Sequence, residues 1–270
     1  DVAKILGKTE DAAFYSNLFN QIKEVFIHEY VTSAGRVGTN SQTSYVLALM
    51  FDLLPNNLRP NAAQFLVDDI RSRGTHLSTG FLGTPYLCHV LSDNGHTDVA
   101  YDLLMQKTFP SWLYPVTVGA TTIWERWDGQ RPDGTFQDAG MNSFNHYAYG
   151  AIGDWMYRVS AGLDTNSPGY KHLLINPHPT HHLEYSKASF DTPYGIAESG
   201  WERKENKIIV NVTVPVNSKA TVVLPTKNSS SIMENGELIA NNKNISEINI
   251  EGNKVQFIIG SGSYIFEYNE

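Results

Sequence analysis

The stretch TTIWERWDG, residues 121–129, places Glu125 between Trp124 and Trp127. A helix cap or a surface ion pair needs no such surroundings. A sugar ring lying against indole does, because the C–H faces of a pyranose pack well on aromatic rings. Glycosidic cleavage also needs two carboxyl groups, one to protonate the leaving oxygen and one to activate water or attack. Glu125 suits the second task, and flanking indoles would limit its hydration. A surface-loop glutamate beside two tryptophans buried for packing would carry the same letters, so both readings stand on these residues alone.

His146 offers a second candidate. It follows Asn142 and Ser143, which read as caps for a helix over 143–161. On that helix His146 shares a face with Gly150 and Gly153, which leave room for a ligand or another backbone. An imidazole there suits a hydrogen bond to a sugar hydroxyl, and a satisfied structural histidine is the plain alternative. The histidines of HPTHH (178–182) are closely spaced, but they sit in a polar hinge without neighbouring carboxylates, so no metal is expected. No GxGxxG, P-loop or GxSxG pattern occurs, and no cofactor is expected.

The 270 residues suffice for one large or two medium domains. With 41% hydrophobic and 18% charged residues, the chain has the composition of a folded soluble protein. A formal net charge of -8 disfavours nucleic acid or an anionic membrane and leaves a neutral, hydroxyl-rich ligand as the better partner. The single cysteine, Cys88, excludes an intramolecular disulfide and reads as a buried inert thiol within YLCHVL. No apolar run is long enough to span a membrane. The chain opens at Asp1 without methionine, directly before a helix, and reads as a piece of something longer.

Helical periodicity dominates the first 160 residues. Residues 11–30 carry a stripe of Tyr15, Leu18, Phe19, Ile22, Phe26 and Tyr30, and SYVLALMFDLL (44–54) is apolar nearly all round. A one-sided helix over 61–74 follows, then a dense one opened by Thr84 and Pro85, then a one-sided one over 98–106 capped by Thr97. Dense helices alternating with amphipathic ones are what two concentric rings would write. Six helices make half of a twelve-helix toroid, which would expose a dense helix such as 44–54 along an open edge. Residues 107–142 lack helical period yet hold Trp112, Tyr114, Trp124, Trp127 and Phe136, a composition that points to a functional loop rather than disorder.

After NSPGY (166–170) the pattern changes to short β-branched runs, including KIIVNVTVP, SKATVVLP, KVQFIIG and SYIFEY, with ENGEL and EGNK as hairpin turns. The expected architecture is α+β and multidomain, with a partial (α/α)6 barrel over 1–165 and an antiparallel β-sandwich over 166–270. Asn211, Asn228 and Asn244 fit the glycosylation pattern, a weak signal in an asparagine-rich sheet domain.

HLSTGFLGTPYL, PSWLYPVTVGATTIWERWDG, NSFNHYAYGAIGDWMYR and PGYK, in this order, resemble the C-terminal part of bacterial α-L-rhamnosidases, glycoside hydrolase family 78. The resemblance covers most of residues 40–225 and weakens over the last 45. It implies an (α/α)6 catalytic barrel with a trailing β-sandwich and an inverting hydrolysis of terminal α-L-rhamnose from a glycan or glycoside. The glutamate of the family's WERW-type motif is its general base, here Glu125. The histidine of its NHY motif lines the sugar site, here His146, with Trp124, Trp127 and Trp112 expected to shape the pocket walls. Nothing in residues 1–120 matches the family's general-acid motif, which would belong to an upstream half of the same polypeptide. A periplasmic or extracellular setting is expected over a cytoplasmic one. Two other readings are another inverting α/α-barrel glycosidase and a carbohydrate-binding fragment in which Glu125 only accepts a hydroxyl.

Overall fold

The computed structural model describes residues 1–226 and 231–269. They form two compact units, Asp1–Gly150 and Ala151–Glu270.

The first unit is helical. Helices α1 (Val2–Ile5), α2 (Thr9–Tyr30), α3 (Gln42–Met50), α4 (Arg59–Ser72), α5 (Thr84–Asp93), α6 (Thr97–Met105) and α7 (Leu113–Thr117) follow in chain order. α3 packs on α4 and α5 on α6, and the two dense helices α3 and α5 pack on each other. Their apolar residues account for this: Tyr45, Val46, Ala48 and Leu49 of α3 and Leu87, Cys88, Val90 and Leu91 of α5 are all buried. α4 turns Ala62, Ala63, Leu66, Val67 and Ile70 inward and leaves Pro60, Asn61, Gln64, Asp68, Arg71 and Ser72 exposed, as its one-sided pattern requires. Burial also pushes the Cys88 thiol well above its usual range.

Four local expectations are revised. On the dense run 44–54 only Met50 and Phe51 are exposed apolar residues, and more apolar side chains are exposed on α2. No residue of α2 is buried, and Phe14, Tyr15, Ile22 and Val25 are each more than half exposed. Thr97 is the first helical residue rather than the cap; His96 holds that place with no side-chain cap bond. Residues 107–142 contain α7 and a 3-10 turn, Ala139–Met141, both too short to show a period. The helix expected over 143–161 is shorter and irregular. It begins as a 3-10 turn at Ala148–Ala151, continues as α8 (Ile152–Trp155) and closes as a π-helical turn, Met156–Ser160.

The second unit holds strands β1 (Leu163–Thr165), β2 (His172–Ile175), β3 (Tyr185–Thr192), β4 (Gly195–Lys204), β5 (Lys207–Val214), β6 (Lys219–Leu224), β7 (Met233–Glu234), β8 (Glu237–Leu238), β9 (Ile245–Glu251), β10 (Lys254–Ile259) and β11 (Gly262–Asn269). They form two sheets, in the orders β1-β2-β6-β10-β9 and β3-β4-β5-β11-β7-β8. Pairing is antiparallel except between β2 and β6. Strict alternation drives burial: in β5, Ile208, Val210, Val212 and Val214 enter the core beside Trp201, Phe257 and Phe266. The ENGEL turn joins β7 to β8 with Asn235 and Gly236 both at positive φ, the requirement that such hairpin turns place on Asn-Gly. At Gly162 (φ 74) an added Cβ would lie 2.1 Å from the Pro177 nitrogen, so only glycine fits.

Among the described residues no three or more His, Cys, Asp or Glu side chains gather as a metal site. Within HPTHH the His181 and His182 rings lie with centroids 4.0 Å apart, tilted by 36°. Burial, with Lys254 adding to it, pushes His178 down to about 4. Asn211 and Asn244 are exposed, and Asn228 lies outside the described residues.

Candidate active site

Two loop segments, 122–125 and 143–146, hold each other side by side. The Glu125 N–H donates to the Ser143 carbonyl at 2.9 Å and the His146 N–H to the Ile123 carbonyl at 2.9 Å. The Thr122 hydroxyl donates to the Phe144 carbonyl. Loop backbone groups must find partners somewhere, and here each segment satisfies the other. The Glu125 carboxylate takes part: its Oε2 accepts the Ser143 N–H at 2.7 Å, a charge-assisted bond. Its Oε1 has no hydrogen-bond partner among the described residues. The result is a half-buried carboxylate with one oxygen anchored and one free.

Gly129 closes the loop behind this pair. The Asn142 side-chain amide donates to its carbonyl at 3.0 Å. An added Cβ there would meet Asn142 Oδ1 at 2.9 Å, Phe144 at 3.1 Å and Trp124 at 3.2 Å.

The tryptophans support the same loop. Trp124 is buried and meets Phe144 edge to face, with centroids 5.0 Å apart. Trp127 stacks on Tyr149 at 3.7 Å and 12°. Trp112 meets Trp127 edge to face at 5.5 Å, and its indole N–H donates to the Tyr149 carbonyl at 3.0 Å. All three line a cavity of about 40 Å³ with Pro115, Ile123 and Tyr149, a volume on the scale of water rather than a sugar ring. Burial holds the Tyr149 hydroxyl above its usual range, with Arg126 opposing and Glu125 adding to the effect.

His146 precedes the 3-10 turn instead of riding on a helix face. Its Nδ1 accepts the Ala148 N–H at 3.3 Å. Gly150 is in ordinary reach of Ile123, at 3.5 Å from an added Cβ, while Gly153 has nothing within 4 Å. The imidazole lies parallel to the Phe81 ring, with centroids 5.0 Å apart at 9°. Phe81 also meets Tyr149 at 5.2 Å.

Four participants went unread in the sequence: Ser143 as an anchor, and Tyr149, Phe81 and Gln42. The only trace of Phe81 was an aromatic inside the glycine-rich connection 74–84. Gln42 is fully buried at the start of α3. Its Oε1 accepts the Ser78 N–H at 2.7 Å, and its Nε2 donates to the Asp69 carboxylate at 3.0 Å and the His76 carbonyl at 3.1 Å. The connection bearing Phe81 is thus tied to the helical core.

Residues 1–159 match the family model described as the bacterial alpha-L-rhamnosidase 6 hairpin glycosidase domain, and residues 162–238 match the bacterial alpha-L-rhamnosidase C-terminal domain. An alpha-L-rhamnosidase of Streptomyces avermitilis is 43% identical over 265 residues, 98% of this chain and 25% of its own length. One from Formosa agariphila is 42% identical, over 98% of this chain and 29% of its length. Among solved structures, the Streptomyces avermitilis enzyme complexed with L-rhamnose superposes with a TM-score of 0.91 at 42% identity, covering 99% of this chain and 25% of that one. The native Aspergillus terreus enzyme gives 0.87 at 33% identity, covering 99% and 28%. The chain therefore belongs to the bacterial α-L-rhamnosidase family, spanning about a quarter of the length of the relatives it matches.

Proposed function

We propose that these residues carry the water-activating side of an inverting α-L-rhamnosidase site. Glu125 takes a proton from water as the water oxygen bonds to the anomeric carbon. The glycosidic C–O bond breaks with its electrons going to the leaving oxygen, which a second carboxylic acid protonates. That acid is assigned to a segment outside residues 1–270, roughly 6.5–9.5 Å from Glu125 across the sugar, the spacing that leaves room for a water. His146 donates to a sugar hydroxyl, and Trp112, Trp124 and Trp127 shape the apolar wall behind Glu125.

The carrying observation is the asymmetry of the Glu125 carboxylate. Oε2 is fixed by the Ser143 N–H, while Oε1 is left to accept a proton. A general base needs this combination of fixed direction and open lone pair. The choice of sugar rests on the rhamnosidase relatives and on the L-rhamnose bound in the Streptomyces avermitilis structure. Hydrolysis of an aryl α-L-rhamnoside by the intact enzyme, followed by proton NMR, tests the proposal. The β-anomer of rhamnose should appear first; first appearance of the α-anomer would replace inversion by retention, and cleavage of only other glycosides would replace the substrate.

A further inference from the structure

We infer that Phe81 is a positioning residue for His146, fixing the plane of the imidazole and so the direction in which its Nε2–H points. The inference rests on the proposed role of His146 as a sugar ligand.

Because Nδ1 accepts the Ala148 N–H, the proton of the neutral ring sits on Nε2, which has no partner among the described residues. The ring is therefore a donor toward a ligand oxygen. Its direction is not secured by its own side chain, since the terminal torsion of histidine is broad and roughly two-fold. One backbone bond at 3.3 Å is also too long to hold it tightly. The Phe81 ring supplies the missing restraint, lying face to face with the imidazole at 9° while braced on Tyr149. The parallel Tyr147 ring adds a weaker contact at 5.7 Å, but that side chain is itself almost wholly exposed.

Phe81 can act as a brace because its own connection is rigid at the base. Gln42 holds Ser78 and His76, and the buried Thr79 and Thr84 hydroxyls bond at 2.8 Å. Gly83 packs so closely that an added Cβ would meet Thr79 at 2.9 Å and Thr43 at 3.0 Å. A ring on a loose loop could not orient another ring. This one sits three residues beyond the Ser78 tether.

A double-mutant cycle in the intact enzyme tests the inference through kcat/KM on an aryl α-L-rhamnoside, with thermal unfolding to establish that each variant folds. His146→Ala should lose about 10–100-fold and Phe81→Ala about tenfold, with Phe81→Tyr, which keeps the ring, within about twofold of wild type. In the His146→Ala background, Phe81→Ala should cost nothing further. If His146→Ala is impaired but Phe81→Ala is near wild type, or if the two losses multiply, Phe81 does not act through His146 and the inference fails while the sugar site stands. Wild-type kcat/KM in His146→Ala would instead remove the reading on which the inference depends.

Discussion

Glu125 and Ser143 are bonded in both directions: the Glu125 N–H reaches the Ser143 carbonyl at 2.9 Å, and the Ser143 N–H reaches Glu125 Oε2 at 2.7 Å. Main chain and side chain of one residue are thus both fixed by the main chain of the other. The carboxylate is aimed by backbone, which has little freedom to relax.

Glu125→Gln keeps this geometry, since an amide oxygen accepts the Ser143 N–H as a carboxylate oxygen does, but it abolishes basicity. In the intact enzyme kcat should fall about 10²–10⁴-fold with rhamnose binding retained. Retention of more than about a tenth of wild-type kcat would show that another group takes the proton.

His178 makes the sheet unit sensitive to acid. Its folded value, about 4, lies below the ordinary 6.5 because burial disfavours the charged ring and Lys254 adds to the effect. Between these values the unfolded chain binds a proton that the folded chain refuses, so stability is full above about pH 6.5 and is lost as pH falls toward 4. The loss approaches roughly 3 kcal/mol at its limit. Urea midpoints at pH 7 and pH 4.5 should differ less for a folded His178→Gln variant than for wild type. Equal slopes would assign the acid sensitivity to carboxylates instead.

The exposed apolar face of α2 predicts the behaviour of the 270-residue chain in isolation. A 22-residue helix with no buried residue, carrying Phe14, Leu18, Ile22 and Val25 along one side, leaves a contiguous apolar surface in water. The isolated chain should self-associate and should hydrolyse no aryl α-L-rhamnoside. Light scattering coupled to size exclusion should show Phe14→Ser/Val25→Ser restoring a monomer without restoring activity. A wild-type monomer with ordinary turnover would contradict both the missing acid and the open face.

Much of the architecture was legible because periodicity is local. The stripe of residues 61–74, the dense run 44–54 and the alternation of 207–214 each write their burial within a few residues, and α4, α3 and β5 follow them. The WERW and NHY motifs single out Glu125 and His146 through the family resemblance rather than through periodicity. Periodicity does not say which apolar stripe finds a partner. The stripe on 11–30 was as regular as any, yet α2 stays uncovered while the apolar residues of the denser 44–54, Met50 and Phe51 apart, are buried or half-buried, because packing depends on what lies across the interface. The sequence also extended the last helix back to Ser143, where propensity lost to a tertiary alternative. The backbone of 143–146 bonds to 122–125 instead of to itself. That exchange places the Ser143 N–H on Glu125 and sets the His146 ring against Phe81, sixty-five positions earlier in the chain. Residue types and spacing named the groups able to do chemistry. The anchoring of Glu125 Oε2 by Ser143 and the stacking of Phe81 on His146 are relations between distant segments, decided only when the loops closed on one another.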